Sequence, residues 1–206
     1  MNPTEHHRSS GLITGKQLAK MSGLGRCELV RGRIVHASPN SRQHAKVEVR
    51  FAHELHAFVE FHRLGEVLVG EAGVYTQRGP DTVRGADVAF LSAERAASCR
   101  PEGFLDIAPD LVVEVLSPDD RRAKVEEKIA EYLTSGVRLV WVADPARKSV
   151  RVYRSLEDVG SGGVEKSPLS GEGLVTGGTV FSGEDLLCGE DVLPGFSVPV
   201  QRFFDD

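Results

Sequence analysis

Cysteine is scarce in this sequence of 206 residues, which contains only Cys27, Cys99 and Cys188. Because these residues are odd in number and far apart, they argue against a disulfide framework and against a CxxC metal site. Free thiols of this kind are typical of a reducing compartment, so we expect the protein in the cytoplasm. No apolar run approaches the roughly 18 residues of a membrane-spanning helix, and the N-terminus lacks the apolar segment of a signal peptide.

An excess of positive charge is also missing. The sequence has 25 Lys and Arg residues against 30 Asp and Glu residues, which gives a formal net charge of −5. Nucleic-acid-binding domains are usually basic, so composition gives no support for such a partner, although an acidic protein can carry a local basic patch. The apolar content of 40% is ordinary for a globular protein, and the length favours one domain over residues 13–206 after a flexible N-terminus at 1–12.

The first half of the chain has the apolar spacing of a protein with both helices and strands. Its predicted elements, in chain order, are a short helix capped by Thr14, a hairpin that turns at Arg31-Gly32, a helix over about 41–63 closed by Gly65, strands at 66–70 and 73–77, and a strand at 86–91.

The stretch from Pro109 to Pro145 has the clearest pattern, which is a strand, a helix and a second strand. The first strand is LVVEVL at 111–116, and Ser117 and Gly136 are the expected caps of the helix that follows. A unit of this kind is typical of a crossover between parallel strands. The remaining predicted elements are strands at 138–143 and 149–154, a loose hairpin in the Gly- and Ser-rich segment 157–178, and a terminal strand after Pro194.

Two predicted strands each carry a single acid among apolar residues, Asp87 in ADVAFL and Glu114 in LVVEVL. An ionised carboxylate buried in such a strand costs several kcal/mol unless it is paired or bound to a cation. Lys128 lies on the helix after the second strand, at the border of an apolar stripe, from which its side chain can lean back over the sheet. Such a trio suits a site in which two acids hold Mg²⁺ and the lysine orients water or stabilises developing negative charge.

Simpler interpretations of the three residues stay open on this evidence. A single acid near a strand end is usually half exposed or capped by backbone N–H groups. A lysine at the border of a helical stripe usually extends to solvent.

Several segments together resemble the Uma family of putative endonucleases, which belongs to the restriction-endonuclease-like PD-(D/E)XK superfamily. They are ELVRGRIV at 28–35, SPNSRQHAKV at 38–47, RGADVAFLSAER at 84–95 and the stretch from Pro109 to Pro145. The resemblance implies an α/β fold with a restriction-endonuclease-like core. Its mixed central β-sheet would be flanked by helices. The elements predicted from the residues add an N-terminal hairpin and a C-terminal β extension to this expected fold. The resemblance also implies a divalent-metal site that hydrolyses phosphodiester bonds.

By this resemblance, Asp87 and Glu114 take the positions of the superfamily's two metal-binding acids, with the backbone carbonyl of Val115 as a further ligand. The superfamily's usual lysine would stand at Leu116, which is a departure in this sequence. The Uma-type pattern instead has its lysine on the following helix, and Lys128 fits that position.

Accessory residues are implied more weakly. Glu28 and His44 match frequent positions of the family. Glu28 would complete the metal site or orient a water, unless it is a surface acid of the hairpin. His44 faces inward, where it either caps a neighbouring strand or contacts phosphate or water. Tyr132 is expected to pack beside Lys128, and Glu71 is a weaker candidate still.

The sequence therefore predicts an Mg²⁺- or Mn²⁺-dependent endonuclease with catalytic residues Asp87, Glu114 and Lys128. Nucleic acid, and DNA in particular, is the expected substrate, and no membrane partner is expected. The alternative is a catalytically silent protein of the same fold that binds nucleic acid or a protein partner, for which the acidic net charge and Leu116 leave room. Cleavage of both strands by a protein with one site favours a two-fold homodimer.

Overall fold

The structure is a computed structural model that describes residues 11–159 and 177–205. Its main sheet is built from β1 (Cys27–Val30), β2 (Arg33–His36), β3 (Gly65–Gln77), β4 (Thr82–Ser92), β5 (Leu111–Val115), β6 (Leu139–Asp144), β7 (Ser149–Tyr153) and β8 (Thr179–Ser182). The strand order is β2-β1-β4-β5-β6-β7-β8, and β3 also pairs with β4. A separate antiparallel pair consists of β9 (Leu186–Gly189) and β10 (Leu193–Pro199).

The helices pack around this sheet. They are α1 (Gly15–Leu18), α2 (Arg42–His62), α3 (Ala93–Ser98) and α4 (Arg122–Ser135), with short 3₁₀ helices at Leu156–Asp158 and Val200–Phe203. The sheet is mixed because β5 and β6 are parallel, joined by α4, whereas the other pairs within it are antiparallel. The expected fold class is confirmed, with β1–β2 as the N-terminal hairpin and β9–β10 as the C-terminal β extension.

Helix α2 covers one face of the sheet. The apolar spacing of its sequence buries Val47, Phe51, Leu55 and Val59 in a core that also contains Trp141 of β6. Residues after β9 also pack into this core. The ring of Phe203 stacks on that of Phe51 with 4.0 Å between their centroids.

Helix α4 covers the opposite face with the buried side chains of Ile129 and Tyr132. These pack against Val112 of β5 and against Val140 and Val142 of β6. Glu114 lies two residues after Val112 on β5, so its side chain is on the same face of the sheet and points toward α4 as well. The two helices thus sandwich β4, β5 and β6, the strands that carry both single acids or lie beside them.

Some predicted boundaries are confirmed. Thr14 caps α1, where its side chain accepts a hydrogen bond from the amide of Gln17. The hairpin turns at Arg31 and Gly32. Gly136, at φ 102°, ends α4. The predicted hairpin at 157–178 falls mostly on residues outside those the structure describes, as does the predicted flexible N-terminus.

The end of α2 and the start of β3 differ from the prediction. Arg63, at φ 55°, takes the left-handed conformation that ends the helix, and Gly65 instead begins β3. Glycine is needed there because a Cβ would lie 1.9 Å from the carbonyl oxygen of Leu91 on β4. The predicted strands at 66–70 and 73–77 are one strand, since a bulge between them keeps β3 paired with β4.

The predicted cap of α4 was also wrong, because the helix begins at Arg122 and not after Ser117. The amide of Ser117 donates to the carboxylate of Asp120 at 2.7 Å, and the amide of Asp120 donates to the carbonyl of Ser117 at 3.1 Å. These two bonds form a turn ahead of the helix. The short side chain of Asp120 stabilises the turn by accepting a hydrogen bond from a nearby backbone amide.

No helix in the described ranges, 11–159 and 177–205, is long and apolar enough to cross a membrane.

Replacement of Phe51 tests the packing of α2 against the sheet and the C-terminal residues. We expect Phe51→Ala to lower the free energy of unfolding by about 3–5 kcal/mol, because it leaves a cavity between two aromatic rings. Phe61 on the same helix is 82% exposed, so Phe61→Ala should change stability by less than about 0.5 kcal/mol. Equilibrium urea denaturation measures both, and equal losses in the two variants would contradict this description of the core.

Candidate functional site

Strand register brings the two single acids together. The ladder between β4 and β5 ends at the pair Val88–Val113. Asp87 and Glu114 are the next residues on the two strands, so they lie side by side just beyond the ladder. There the amide of Val115 donates to Oδ2 of Asp87 at 2.7 Å, and the two acids are 2% and 8% exposed.

A bulge in β3 shapes the other side of Asp87. The register of β3 against β4 shifts by one residue between Val69 and Ala72, so that Gly70 and Glu71 together oppose Asp87. Glu71 has φ 63°, a left-handed conformation that is uncommon for a residue with a Cβ. Bulges often redirect a side chain beside an active site. This one turns the carboxylate of Glu71 toward Asp87.

Glu71 is held between a cation and a glycine. Its carboxylate pairs with the guanidinium of Arg26, whose Nη2 also lies 3.9 Å from Oδ1 of Asp87. A Cβ on Gly85 would lie 2.5 Å from Oε2 of Glu71, so a larger residue at that position would displace the Glu71 carboxylate. The weaker candidate Glu71 is therefore in the cluster. Arg26, which the sequence analysis did not assign to it, is there too.

Lys128 reaches the acids from α4. Its Nζ donates to Oε2 of Glu114 at 2.7 Å and to the carbonyl oxygen of Gly85 at 2.8 Å, and it lies 3.2 Å from Oε1 of Glu28. One turn further along the helix, the hydroxyl of Tyr132 donates to Oε1 of Glu114 at 2.9 Å. Both oxygens of the buried carboxylate are thus oriented by α4, and Lys128 does not extend to solvent.

Glu28 is part of this arrangement, and its interpretation as a surface acid is wrong. Its Oε1 accepts a hydrogen bond from the amide of Gly85 at 3.0 Å, and its Oε2 accepts one from Nη1 of Arg84 at 2.9 Å. Arg84 also donates to Oε2 and Oε1 of Glu131 on α4 at 2.6 and 3.0 Å. The bidentate pair with Glu131 fixes the guanidinium of Arg84. Arg84 in turn holds Glu28 in contact with Lys128.

His44 faces inward from the start of α2, as predicted, and meets Asp87. Its Nε2 lies 3.2 Å from Oδ2 of Asp87, and its Nδ1 lies 3.6 Å from Oε2 of Glu48. Glu48 was missed by the sequence analysis, although its position four residues after an inward histidine on a helix was an available signal.

The cluster carries more negative than positive charge. Its six carboxylates face three permanently cationic side chains and one histidine. The carboxylates are those of Glu28, Glu48, Glu71, Asp87, Glu114 and Glu131, and the cations are Arg26, Arg84 and Lys128. Buried charge needs compensation, so the cluster must take up protons or bind cations.

The pKa values of the acids reflect this excess. Burial raises the pKa of Glu114 to about 8, although the charge of Lys128 opposes it. Burial and a hydrogen bond with Asp87 raise the pKa of Glu71 to about 7. Burial also acts on Asp87, but the hydrogen bond from His44 and the charge of Lys128 outweigh it and lower the pKa of that carboxyl. Without a bound cation, protons therefore compensate part of the charge near neutral pH.

The donor set fits a divalent cation. Asp87 and Glu114 supply adjacent carboxylates of the kind that Mg²⁺ and Mn²⁺ prefer, in a cluster with a charge excess of the right sign. His44, Glu48 and Asp87 form a second compact set, with one ligand atom from each residue within 4.8 Å of the others. The part of Val115 that contacts Asp87 is its amide, so a ligand role for its carbonyl stays a prediction.

Comparison with known proteins gives a matching family model and similar solved structures. A family model described as Uma2, putative restriction endonuclease, matches residues 16–201. The chain is also similar in structure to a putative nuclease belonging to DUF820 from Anabaena variabilis, with a TM-score of 0.69, 20% sequence identity, and coverage of 93% of this chain and 97% of that chain. At this identity the structural likeness establishes the fold alone. No curated protein matches the chain.

The charge excess predicts how stability depends on pH. Glu114 and Glu71 bind protons more tightly in the folded chain than their ordinary pKa of 4.5 allows, so the stability they contribute is present below that value. It is lost as pH rises through about 7 and 8, and we expect the free energy of unfolding of the metal-free protein to fall between a pH of about 5 and about 8.

Urea denaturation in a chelating buffer measures this slope. In Glu114→Gln, the loss of unfolding free energy over that pH range should be smaller than in the parent by about 1–3 kcal/mol, since each pKa unit corresponds to at most about 1.4 kcal/mol. Glu102→Gln, at an exposed position, should leave it unchanged. A difference between Glu114→Gln and the parent that does not vary with pH would contradict the assignment.

Proposed function

The chain belongs to the Uma2 family of putative restriction endonucleases, and from this premise we propose that it is a divalent-metal-dependent endonuclease with catalytic residues Asp87, Glu114 and Lys128. The observation that carries the proposal is the contact of 2.7 Å between Nζ of Lys128 and Oε2 of Glu114. This contact supports the view that Lys128 supplies the ammonium group beside the two acids, even though Leu116 stands where the superfamily has its usual lysine.

The burial of this pair favours a function over a structural role. An ion pair out of water costs desolvation free energy that its own attraction barely repays, and an apolar pair of similar volume is often as stable. Glu114 and Lys128 have side chains that are only 11% and 16% exposed, and Tyr132 and Glu28 add hydrogen bonds and charge around them. A stability cost of this kind is common where charges are arranged for catalysis.

Asp87 and Glu114 would hold Mg²⁺ or Mn²⁺, with the backbone carbonyl of Val115 as a further ligand. Such a cation polarises a phosphoryl oxygen and lowers the pKa of a water molecule bound to it. Lys128 keeps its proton, because the negative charges of Glu114, Glu28 and Asp87 outweigh its burial and raise its pKa. Its ammonium is therefore available to orient the attacking water or to stabilise negative charge that develops on the phosphate.

Exposed basic residues beside the site support a nucleic-acid substrate. Arg31 on the N-terminal hairpin pairs with Glu127 on α4 at 3.0 Å, so the hairpin and the start of α4 are neighbours. The exposed Arg33 of the hairpin and the exposed Arg121 and Lys124 at the start of α4 lie on these two elements. They would contact the phosphate backbone on either side of the acids, independently of sequence. DNA is the substrate we propose.

Residues 13–206 would act as one domain in the cytoplasm. Because this domain has one set of catalytic residues, cutting both strands of a duplex would require two copies. We therefore include a two-fold homodimer in the proposal.

Removal of either acid tests the metal-binding roles. We expect Asp87→Ala and Glu114→Ala to lower Mn²⁺- or Mg²⁺-dependent cleavage of plasmid DNA by about 10³-fold or more, because metal polarisation supplies several kcal/mol of transition-state stabilisation. Circular dichroism should show that both variants keep the fold, and Glu102→Ala should cleave like the parent. Cleavage at the parent rate by both site variants would show that the assignment is wrong.

Lys128→Gln separates a catalytic role from a structural one. We expect cleavage to fall by about 10²- to 10³-fold while calorimetry still detects Mn²⁺ uptake, because both acids remain. Lys20, an exposed lysine with no ion pair to the acids among the described residues, provides the control, and Lys20→Gln should cleave like the parent. If the parent binds nucleic acid but Mn²⁺ does not bind and no strand is cut, the protein is instead the silent relative considered above.

A further inference from the structure

The imidazole of His44 lies between two carboxylates at the start of α2. Its side chain is 2% exposed, with Nε2 at 3.2 Å from Asp87 and Nδ1 at 3.6 Å from Glu48. The position is set by local structure, because His44 belongs to the buried stripe of α2 and Glu48 follows it by one helical turn. Asp87 reaches the same place from β4.

One nitrogen of this buried ring lacks a partner. Among the residues that the structure describes, Nδ1 of His44 makes no hydrogen bond. A buried polar atom without a partner costs about 1–3 kcal/mol. If that nitrogen faced only apolar neighbours, it would bear this cost in full. The ring instead directs its second nitrogen toward another acid.

This pattern is the one found around metal ions. A histidine ligand binds the ion through one nitrogen and donates its other N–H to a carboxylate, which fixes the orientation of the ring. One ligand atom from each of His44, Glu48 and Asp87 lies within 4.8 Å of the other two, which is compact enough for all three to contact a single ion. Each carboxylate also has a second oxygen that can accept the remaining N–H of the ring. We propose that His44, Glu48 and Asp87 form a binding site for a first-row transition-metal dication, separate from the oxygen-only set of Asp87 and Glu114.

The ligand types determine the metal class. Imidazole suits Fe²⁺ and the later first-row dications, whereas Mg²⁺ prefers oxygen ligands and retains its waters. At the other end of the cluster, the oxygens of Glu114 accept hydrogen bonds from the ammonium of Lys128 and the hydroxyl of Tyr132. At the His44 end, Glu48 accepts a hydrogen bond from the backbone amide of Gly70, and Nη2 of Arg26 lies 3.9 Å from Oδ1 of Asp87. The imidazole ligand therefore makes this site selective for a transition metal over Mg²⁺. This selectivity is a property of binding and can be measured without any cleavage reaction.

Titration of the metal-free full-length protein with Mn²⁺ tests the site. Pulsed electron paramagnetic resonance on the bound Mn²⁺ should show nitrogen coupling from one imidazole, and calorimetry should give tighter binding of Mn²⁺ than of Mg²⁺. His44→Asn should remove the nitrogen coupling and weaken Mn²⁺ binding by at least about tenfold, with a smaller effect on Mg²⁺. Glu48→Gln, which keeps the shape of the side chain, should weaken Mn²⁺ binding while the unfolding transition stays cooperative.

The same helix offers a matched control. His56 and Glu60 have the same spacing, with 3.4 Å between Nε2 and Oε2, but their side chains are 63% and 75% exposed. His56→Asn should leave the Mn²⁺ affinity and the nitrogen coupling unchanged. A parent protein that binds Mn²⁺ without nitrogen coupling, or His44→Asn and Glu48→Gln variants with the parent's affinity, would overturn the inference.

Glu114→Gln distinguishes this inference from the proposed function, with which it shares Asp87. The variant should lose cleavage and keep the nitrogen coupling. Loss of the coupling together with cleavage would mean that His44 and Glu114 hold one shared ion, which would overturn a separate site at His44 and leave the nuclease proposal standing. Coupling in a parent protein that cuts no nucleic acid would support the site and count against the nuclease.

Discussion

The ion pair between Glu114 and Lys128 is the interaction on which the arrangement of the site depends. It joins β5 to α4 in a region that is nearly dry, so loss of either partner leaves the other partner's buried polar group with fewer compensating contacts. The surrounding contacts serve this pair. Tyr132 donates to the other oxygen of Glu114, and Glu28 shares the ammonium of Lys128. Arg84 then fixes Glu28 against α4 through Glu131, so β1, β4, β5 and α4 are linked by one charged network.

This network is stable only because two apolar layers enclose it. Phe51 and Trp141 belong to the core under α2, and Ile129 and Tyr132 belong to the core under α4. Together the layers hold the central strands rigidly enough for the acids to remain close despite their repulsion. The excess negative charge of the cluster is what allows the site to bind protons or cations. It is compensated by protons when no cation is present, and it favours any cation that brings two positive charges at once.

Much of this was predictable from particular residues. Asp87 and Glu114 were recognisable because each interrupts an apolar strand, and His44 because it shares a helical stripe with Val47 and Phe51. Errors arose where local signals had several outcomes. Ser117 has the side chain of a helix cap, but Asp120 forms a turn with it first. Gly70 and Gly73 suggested two strands, whereas pairing with β4 carries β3 across a bulge. Glu48, Arg26 and Arg84 were not assigned to the site, because a charged residue on an amphipathic segment is usually solvated.

The sequence by itself determined the periodic features: which faces of α2 and α4 are apolar, which strands are buried, and which acids are out of place in them. These follow from the repeat of 3.6 residues in a helix and of two in a strand, which are local properties of the backbone. Only the tertiary structure decided that Lys128 reaches Glu114, that Glu28 is turned inward, and that His44 meets Asp87. Those contacts join residues far apart in the chain, so they depend on strand register, on the β3 bulge and on how two helices cross the sheet. No local pattern encodes these relations.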